Sequence, residues 1–174
     1  MTRSTLEATI ADITAPVAAS LGLALWGIEI AQASRAIVRI YIDGPEGVTI
    51  DQCADVSRHV GLALEVEEVF ASAYVLEVSS PGLERPFFTC EQMAPYVGRE
   101  IELTLADPHP EWPGRKKFRG VLHSVEEDAI VFVPDSAPRP DEAPAPLRAE
   151  WETVRKAHLV HVFPEPGHNK KPAR

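Results

Sequence analysis

The segment from Val75 to Phe87 constrains the fold more than any other part of the chain. Leu76 and Val78 alternate with their neighbours at a period of two, which predicts a buried strand with both side chains on one face. Pro81 and Gly82 follow and fit the centre of a type II turn, because proline fixes φ and glycine accepts a positive φ. The segment therefore predicts a strand that stops at a rigid turn.

The residues after this turn predict a connection between two domains. Arg85 precedes Pro86 and is therefore biased towards extended backbone, and the sequence pattern changes after Pro86. Turn and linker chemistry accounts for most of this stretch, so its local role is first of all geometric. We expect an interdomain hinge formed by Pro81, Gly82, Arg85 and Pro86.

The first third of the chain predicts a helix followed by a β-hairpin. Apolar residues recur at helical spacing over roughly residues 5–20, and Gly22 is placed to end the helix. Pro16 lies inside and is expected to kink or divide the helix, since proline has no N–H to donate. Two alternating strands follow, joined near Ala33. Their apolar residues are Trp26, Ile28, Ile30, Val38, Ile40 and Ile42.

A second helix and a third strand complete an α-β-β-α-β order, which is KH-like. Thr49 and Gln52 form a capping box. The strand at 74–79 should be reached by a right-handed crossover. The apolar stripe of the helix contains Cys53, Val56, Val60 and Leu64, so Cys53 is interpreted as a small buried hydrophobe.

After Pro86 the pattern is a brief helix near 89–96 and then only strands. Five are predicted: 101–105, 117–125, 130–133, 147–151 and 157–163. A small closed barrel of the SH3-like or Sm-like kind would remove their exposed edges. The proline-rich stretch 134–146 is expected to be an extended loop.

These patterns predict an α+β fold with two domains. Residues 1–84 form an N-terminal α/β domain, residues 85–163 form a C-terminal SH3-like β-barrel domain, and residues 164–174 form a flexible basic tail.

The charge distribution argues against general nucleic-acid binding. The formal net charge is −9, and residues 1–86 hold 5 Lys/Arg against 12 Asp/Glu. Such a surface attracts basic proteins and repels phosphate, although ordinary solubility explains it equally well. There is no apolar run of about 18 residues and no signal-peptide pattern, so a cytoplasmic protein is expected.

Motifs of catalysis are absent from the sequence. There is no nucleophile elbow, phosphate loop or dinucleotide fingerprint. Ser79 and Ser80 have no histidine near them in sequence and are interpreted as turn residues. His158 and His161 are predicted to lie on a strand, where their spacing directs them to opposite faces. We therefore expect no enzyme, catalytic residue, metal, cofactor or small-molecule substrate.

One basic cluster is a candidate contact surface. Trp112 precedes it and Phe118 lies within it, and cations beside aromatic rings commonly contact RNA phosphates and unstacked bases. Solvated surface charge is the alternative interpretation. The candidate RNA-binding residues are Arg115, Lys116, Lys117 and Arg119.

Several ordered blocks of sequence resemble one protein family. They are Val38–Asp43, Val48–Ala54, Val78–Phe87, Phe118–Gly120 and Lys156–Val160. Each block is weak alone, but all five occur in family order. Together they resemble the bacterial ribosome maturation factor family RimP.

The resemblance implies a cytoplasmic, monomeric, non-catalytic assembly factor that binds the immature small (30S) ribosomal subunit. Its implied partners are a basic ribosomal protein near the decoding region, contacted by the barrel, and 16S rRNA, with no membrane contact. Two features depart from the family pattern. His158 stands where a residue such as Arg is expected, and the 134–146 loop is longer than usual.

An Sm-like or KH-like module that regulates free RNA is the rival hypothesis. It predicts binding to naked single-stranded RNA at physiological salt, which the acidic balance disfavours. An enzyme with a cryptic site would instead require a pocket of perturbed carboxylates.

Overall fold

A computed structural model of the protein describes residues 3–32, 34–137 and 143–161. The first half contains both α-helices, and the second half consists mainly of strands, which confirms an α+β chain. The helices are α1 (Arg3–Ser20) and α2 (Ile50–Val66). The strands are β1 (Ala24–Gln32), β2 (Ala36–Asp43), β3 (Tyr74–Ser79), β4 (Pro86–Phe87), β5 (Glu100–Leu105), β6 (Lys117–Val125), β7 (Ala129–Pro134), β8 (Leu147–Glu150) and β9 (Val154–Leu159).

The N-terminal part, residues 3–79, has the predicted α-β-β-α-β order. Its sheet has the order β1-β2-β3, with β1 antiparallel and β3 parallel to β2. The strand β3 is therefore an edge strand, and only one of its faces is half-buried, so the prediction of a buried strand is wrong. The hydrophobic core contains Ile10, Ala18, Leu23, Ile30, Val38, Ile40, Ile42, Val56, Val60 and Leu64.

The first helix differs from its prediction at Pro16. Pro16 lies inside α1, and the helix continues through it to Ser20 without being divided. The helix ends as predicted at Gly22, whose φ is +73°. The N–H of Gly22 donates to Ala19 O and the N–H of Leu23 to Ala18 O, which is a Schellman motif.

The second helix begins at its predicted capping box. The Thr49 hydroxyl accepts from the N–H of Gln52, and the Gln52 side chain accepts from the N–H of Thr49. Val56, Val60 and Leu64 are buried as predicted, and Cys53 is half-buried.

A β-bulge in β1 changes the direction of Trp26. Leu25 pairs with Ile42 and Gly27 with Tyr41, which leaves Trp26 as the extra residue. Leu25 and Ile28 pack in the N-terminal core, whereas Trp26 packs against the C-terminal one. The alternation predicted Trp26 beside Ile28, and the bulge makes that prediction wrong.

The C-terminal part, residues 86–159, is one sheet of order β4-β9-β5-β6-β7-β8. Within the described residues β4 and β8 remain at its two ends, so the pairings do not close the sheet into a barrel. Phe118, Gly120 and Leu122 face inward on β6. The buried cluster contains Phe87, Cys90, Met93, Ile101, Leu103, Leu105, Trp112, Phe118, Leu122, Ile130, Phe132, Leu147, Ala149, Ala157 and Leu159.

Several C-terminal boundaries differ from the sequence prediction. The two-residue strand β4 was not predicted, and the predicted helix near 89–96 is a 3₁₀-helix, Glu91–Tyr96. A further 3₁₀-helix, Trp151–Thr153, precedes β9, which ends at Leu159 instead of 163. Pro134 is buried at the end of β7 and does not belong to the predicted loop. Residues 138–142 of that loop and the predicted tail at 164–174 lie outside the described residues.

Two glycines should respond oppositely to alanine. A Cβ on Gly120 would lie 2.2 Å from the carbonyl oxygen of Val133 on β7, so Gly120→Ala should lower the free energy of unfolding by about 1–3 kcal/mol. Gly61 lies inside α2 with only Leu76 nearby, at 3.8 Å, so Gly61→Ala should raise it by up to about 1 kcal/mol.

Urea unfolding followed by circular dichroism measures both changes. Equal destabilisation by the two substitutions would contradict the close backbone approach at Gly120.

Candidate functional site

Arg115, the first residue of the predicted basic cluster, is held against the C-terminal core. Its guanidinium carbon lies 4.7 Å from the ring centroid of Trp112 and 4.8 Å from that of Phe118. Its Nε donates to Lys117 O at 2.8 Å and one terminal nitrogen donates to Ser136 Oγ at 2.7 Å. The other lies 3.4 Å from an Asp135 carboxylate oxygen. Each nitrogen of the Arg115 guanidinium therefore has a partner within the chain.

Two of the remaining three cations are also paired within the chain. Lys116 Nζ donates to Ala106 O at 2.6 Å. Arg119 Nε donates to Glu100 Oε1 at 2.5 Å, and this hydrogen bond raises the pKa of Arg119 and lowers that of Glu100. Lys117 is exposed and makes no ion pair within the described part of the chain. Three of the four cations thus have partners within the chain, and we call the four residues the compensated cluster. Lys117 is the cation most available to a binding partner.

The aromatic side chains beside the cluster are not available to nucleic-acid bases. Trp112 is 8% exposed and Phe118 is 1% exposed. Their rings meet edge to face in the core, with centroids 5.5 Å apart. The two buried rings therefore offer no face to an unpaired base, and Arg115 covers them.

The predicted hinge residues fall into two groups, and the first, Pro81 and Gly82, lies directly before a turn. Pro81 is buried, and Gly82 is exposed with the expected positive φ, +69°. The turn itself lies at Leu83 and Glu84, later than the predicted centre at Pro81 and Gly82.

The second group, Arg85 and Pro86, is packed between the two sheets. An Arg85 nitrogen lies 2.7 Å from Asp43 Oδ2. The Arg85 guanidinium lies 4.8 Å from the Trp26 centroid and 5.7 Å from that of Tyr96. Pro86 pairs with His158 across β4 and β9. The hinge stays a prediction.

A groove of about 520 Å³ lies between the two parts. Glu29 and Tyr41 line it from the N-terminal sheet, Arg155 and His158 line it from β9, and Phe88 lies between them. The rings of Tyr41 and Phe88 have centroids 5.7 Å apart, and burial raises the pKa of Tyr41. The groove was not predicted, because its walls are far apart in sequence.

The structure shows the surroundings of the two cysteines and of His158 and His161. Cys90 is buried, its thiol donates to Glu127 O at 3.1 Å, and burial raises the pKa of the Cys90 and Cys53 thiols. His158 lies 3.9 Å from Glu102 on the neighbouring strand. His161 lies beyond the end of β9, so the prediction that both histidines share one strand is wrong.

Two further kinds of site are absent from the described residues. They contain no group of three or more His, Cys, Asp or Glu side chains that could hold a metal ion. They also contain no helix long and apolar enough to span a membrane.

Comparison with known proteins identifies the family. A family model described as the RimP N-terminal domain matches residues 13–84. The chain is 68% identical over 174 residues to a ribosome maturation factor RimP of Nitratidesulfovibrio vulgaris (strain DP4), covering 100% of both chains. The chain belongs to the RimP family.

More distant RimP proteins match over nearly the same length. The ribosome maturation factor RimP of Lawsonia intracellularis is 41% identical and that of Desulfovibrio desulfuricans is 37% identical. These matches cover 98% and 95% of this chain, and 94% and 84% of the two relatives. The resemblance inferred from short blocks is thereby confirmed over the length of the chain.

Arg85 should be important for stability because three groups surround its guanidinium. Arg85→Ala removes the bond to Asp43, whose side chain is 25% exposed, and should lower the free energy of unfolding by about 1–3 kcal/mol. Arg99→Ala is the matched control, because Arg99 is exposed and its side chain makes no ion pair among the described residues. Chemical denaturation measures both, and a loss no greater than that of the control would contradict this role.

Proposed function

We propose that this RimP family member is a ribosome maturation factor that binds the immature small (30S) ribosomal subunit and assists its late assembly without catalysis. The observation that carries the proposal is the 68% identity, over the full length of both chains, to a protein named for ribosome maturation. Its mechanism would be transient binding that holds a partly folded region of the subunit in an assembly-competent state.

The charge of the chain supports a ribosomal protein as one partner. A net charge of −9 favours encounter with basic proteins and disfavours unselective binding to RNA. The proposed partners are a basic ribosomal protein near the decoding region and, at a local basic surface, 16S rRNA. The protein would act in the cytoplasm as a monomer.

We also propose a finer architecture for this function. The N-terminal domain would comprise residues 1–84, and residues 85–163 would form an SH3-like barrel with β4 and β8 as its end strands. The consecutive antiparallel pairing of β5, β6, β7 and β8, with β9 returning beside β5, supports this. Bulges between Leu122 and Ser124 and between Thr104 and Leu105 favour the bending that a barrel needs.

The proposed contact surface is the compensated cluster Arg115, Lys116, Lys117 and Arg119. Lys117 would make the first contact, because it does not have to leave an intramolecular partner. Arg119 must exchange Glu100 for a phosphate or carboxylate of the subunit, which costs part of the gain. The segment from Pro81 to Pro86, with its turn at Leu83 and Glu84, would set the spatial relation between the two domains.

Sedimentation in a sucrose gradient tests the function. In a bacterial lysate the tagged protein should migrate with free small subunits at low and at moderate salt, and be absent from complete ribosomes. Protein that remained at the top of the gradient under both conditions, or that bound naked single-stranded RNA equally well, would contradict the proposal and favour the free-RNA module.

Charge reversal tests the contact surface. Lys117→Glu should weaken binding to purified small subunits several-fold and reduce the slope of log affinity against log salt by about one or two. Arg58→Glu, at an exposed position of α2 and remote in sequence from the cluster, is the control and should change neither quantity. Fluorescence titration at several salt concentrations measures both, and identical curves for Lys117→Glu and wild type would remove this residue from the surface.

A further inference from the structure

Gly27 and Phe88 form an unusually close contact between the two parts of the molecule. A Cβ built on Gly27 would lie 2.0 Å from Phe88 Cδ2, far inside any permitted contact distance. Gly27 does not have a positive φ, so its backbone conformation does not require glycine. A glycine inside a strand weakens the strand and often marks the close approach of another group. Gly27 therefore provides the space that the Phe88 ring occupies.

The neighbouring bulge residue reinforces this contact through hydrogen bonds in both directions. Trp26 Nε1 donates to Pro86 O at 2.6 Å. Gln92 Nε2 donates to Trp26 O at 2.6 Å, and Gln92 Oε1 accepts from the N–H of Phe88 at 2.8 Å. Gln92 thus connects Trp26, the bulge residue, to Phe88, whose ring fills the space beside Gly27, which we call the notch.

Charged groups add two further links on either side. Arg85 pairs with Asp43 at 2.7 Å, and both side chains are at most 25% exposed. Lys156 Nζ lies 3.5 Å from Glu29 Oε1 across the groove. Apolar contacts, hydrogen bonds and ion pairs therefore all join the two parts at the same interface.

We propose that Gly27, Phe88, Trp26 and Gln92 form a clasp that fixes the two parts in one relative orientation, and that small-subunit binding depends on it. The second clause rests on the proposed function. Most of the acidic excess lies in residues 1–86, and the basic cluster lies on β6 and the loop before it. When the two parts keep one orientation, both charged surfaces are already arranged for the small subunit. Binding then loses no entropy by ordering one part relative to the other.

Measurement of rotational tumbling by ¹⁵N NMR relaxation tests the clasp without the ribosome. Wild type should show one correlation time for both parts. Gly27→Ala should show two, because the added methyl displaces Phe88. The double variant Gly27→Ala/Phe88→Ala should return to one, because the ring that clashes is gone. Gly61→Ala, whose Cβ would meet only Leu76 at 3.8 Å, is the matched control and should resemble wild type.

Two results would overturn the clasp: two correlation times in wild type, or one in Gly27→Ala. If Gly27→Ala gave no folded spectrum, Trp26→Phe would test the same clasp, since it removes the indole donor and retains a ring. That variant should also show two correlation times, and a wild-type pattern would count against the proposal.

Binding to purified small subunits tests the dependence on orientation. Gly27→Ala should bind about tenfold more weakly than wild type, as expected for an ordering cost of about 1.4 kcal/mol, and the double variant should recover. Equal binding by a protein whose parts tumble separately would overturn this clause while leaving the clasp intact. If even wild type did not bind, the proposed function would fail, and the NMR result would still decide the clasp.

Discussion

The hydrogen bond from the Trp26 indole to the carbonyl of Pro86 is the interaction on which the arrangement of the two parts depends. It is possible only because a β-bulge turns Trp26 out of the N-terminal core. Without the extra residue, the Trp26 ring would face the helices. The hydrophobic cluster of the C-terminal part would then lose the packing of this ring. The same bulge places Gly27 beside Phe88, so one local irregularity creates both the donor and the notch.

Exposed ion pairs on the N-terminal sheet contribute little to the stability of the protein. Glu29, Arg39 and Glu77 occupy matching positions on three adjacent strands, with Arg39 Nε 2.6 Å from Glu77 and an Arg39 terminal nitrogen 3.7 Å from Glu29. The hydrogen bond to Glu77 raises the pKa of Arg39. All three side chains are at least 30% exposed, and exposed pairs stabilise weakly. The row extends through Glu29 to Lys156 on β9.

Much of the fold could be predicted from periodicity. The strand at 74–79, the strand at 117–125 and the Thr49 cap match the structure, because each has a regular pattern over enough residues. The bulge at Trp26 could not be predicted in this way, since an apolar residue at that position continues the alternation. The strand β4 was also missed, because two residues are too few to show a period and its pairing with β9 is remote in sequence.

The candidate surface shows why residue types identify a site less securely than they identify a strand. The sequence places Arg115 beside two aromatic residues, and the structure confirms that proximity, but both rings face inward and the guanidinium closes over them. Exposure, which decides whether a ring can meet a base, depends on the whole sheet. Gly27 carried a usable signal, since glycine within an alternating strand pattern indicates a close approach. The sequence does not identify Phe88 as its partner, because that contact joins β1 to the residue after β4, in parts with separate cores. The residues that orient this protein therefore become recognisable only when both parts are seen together.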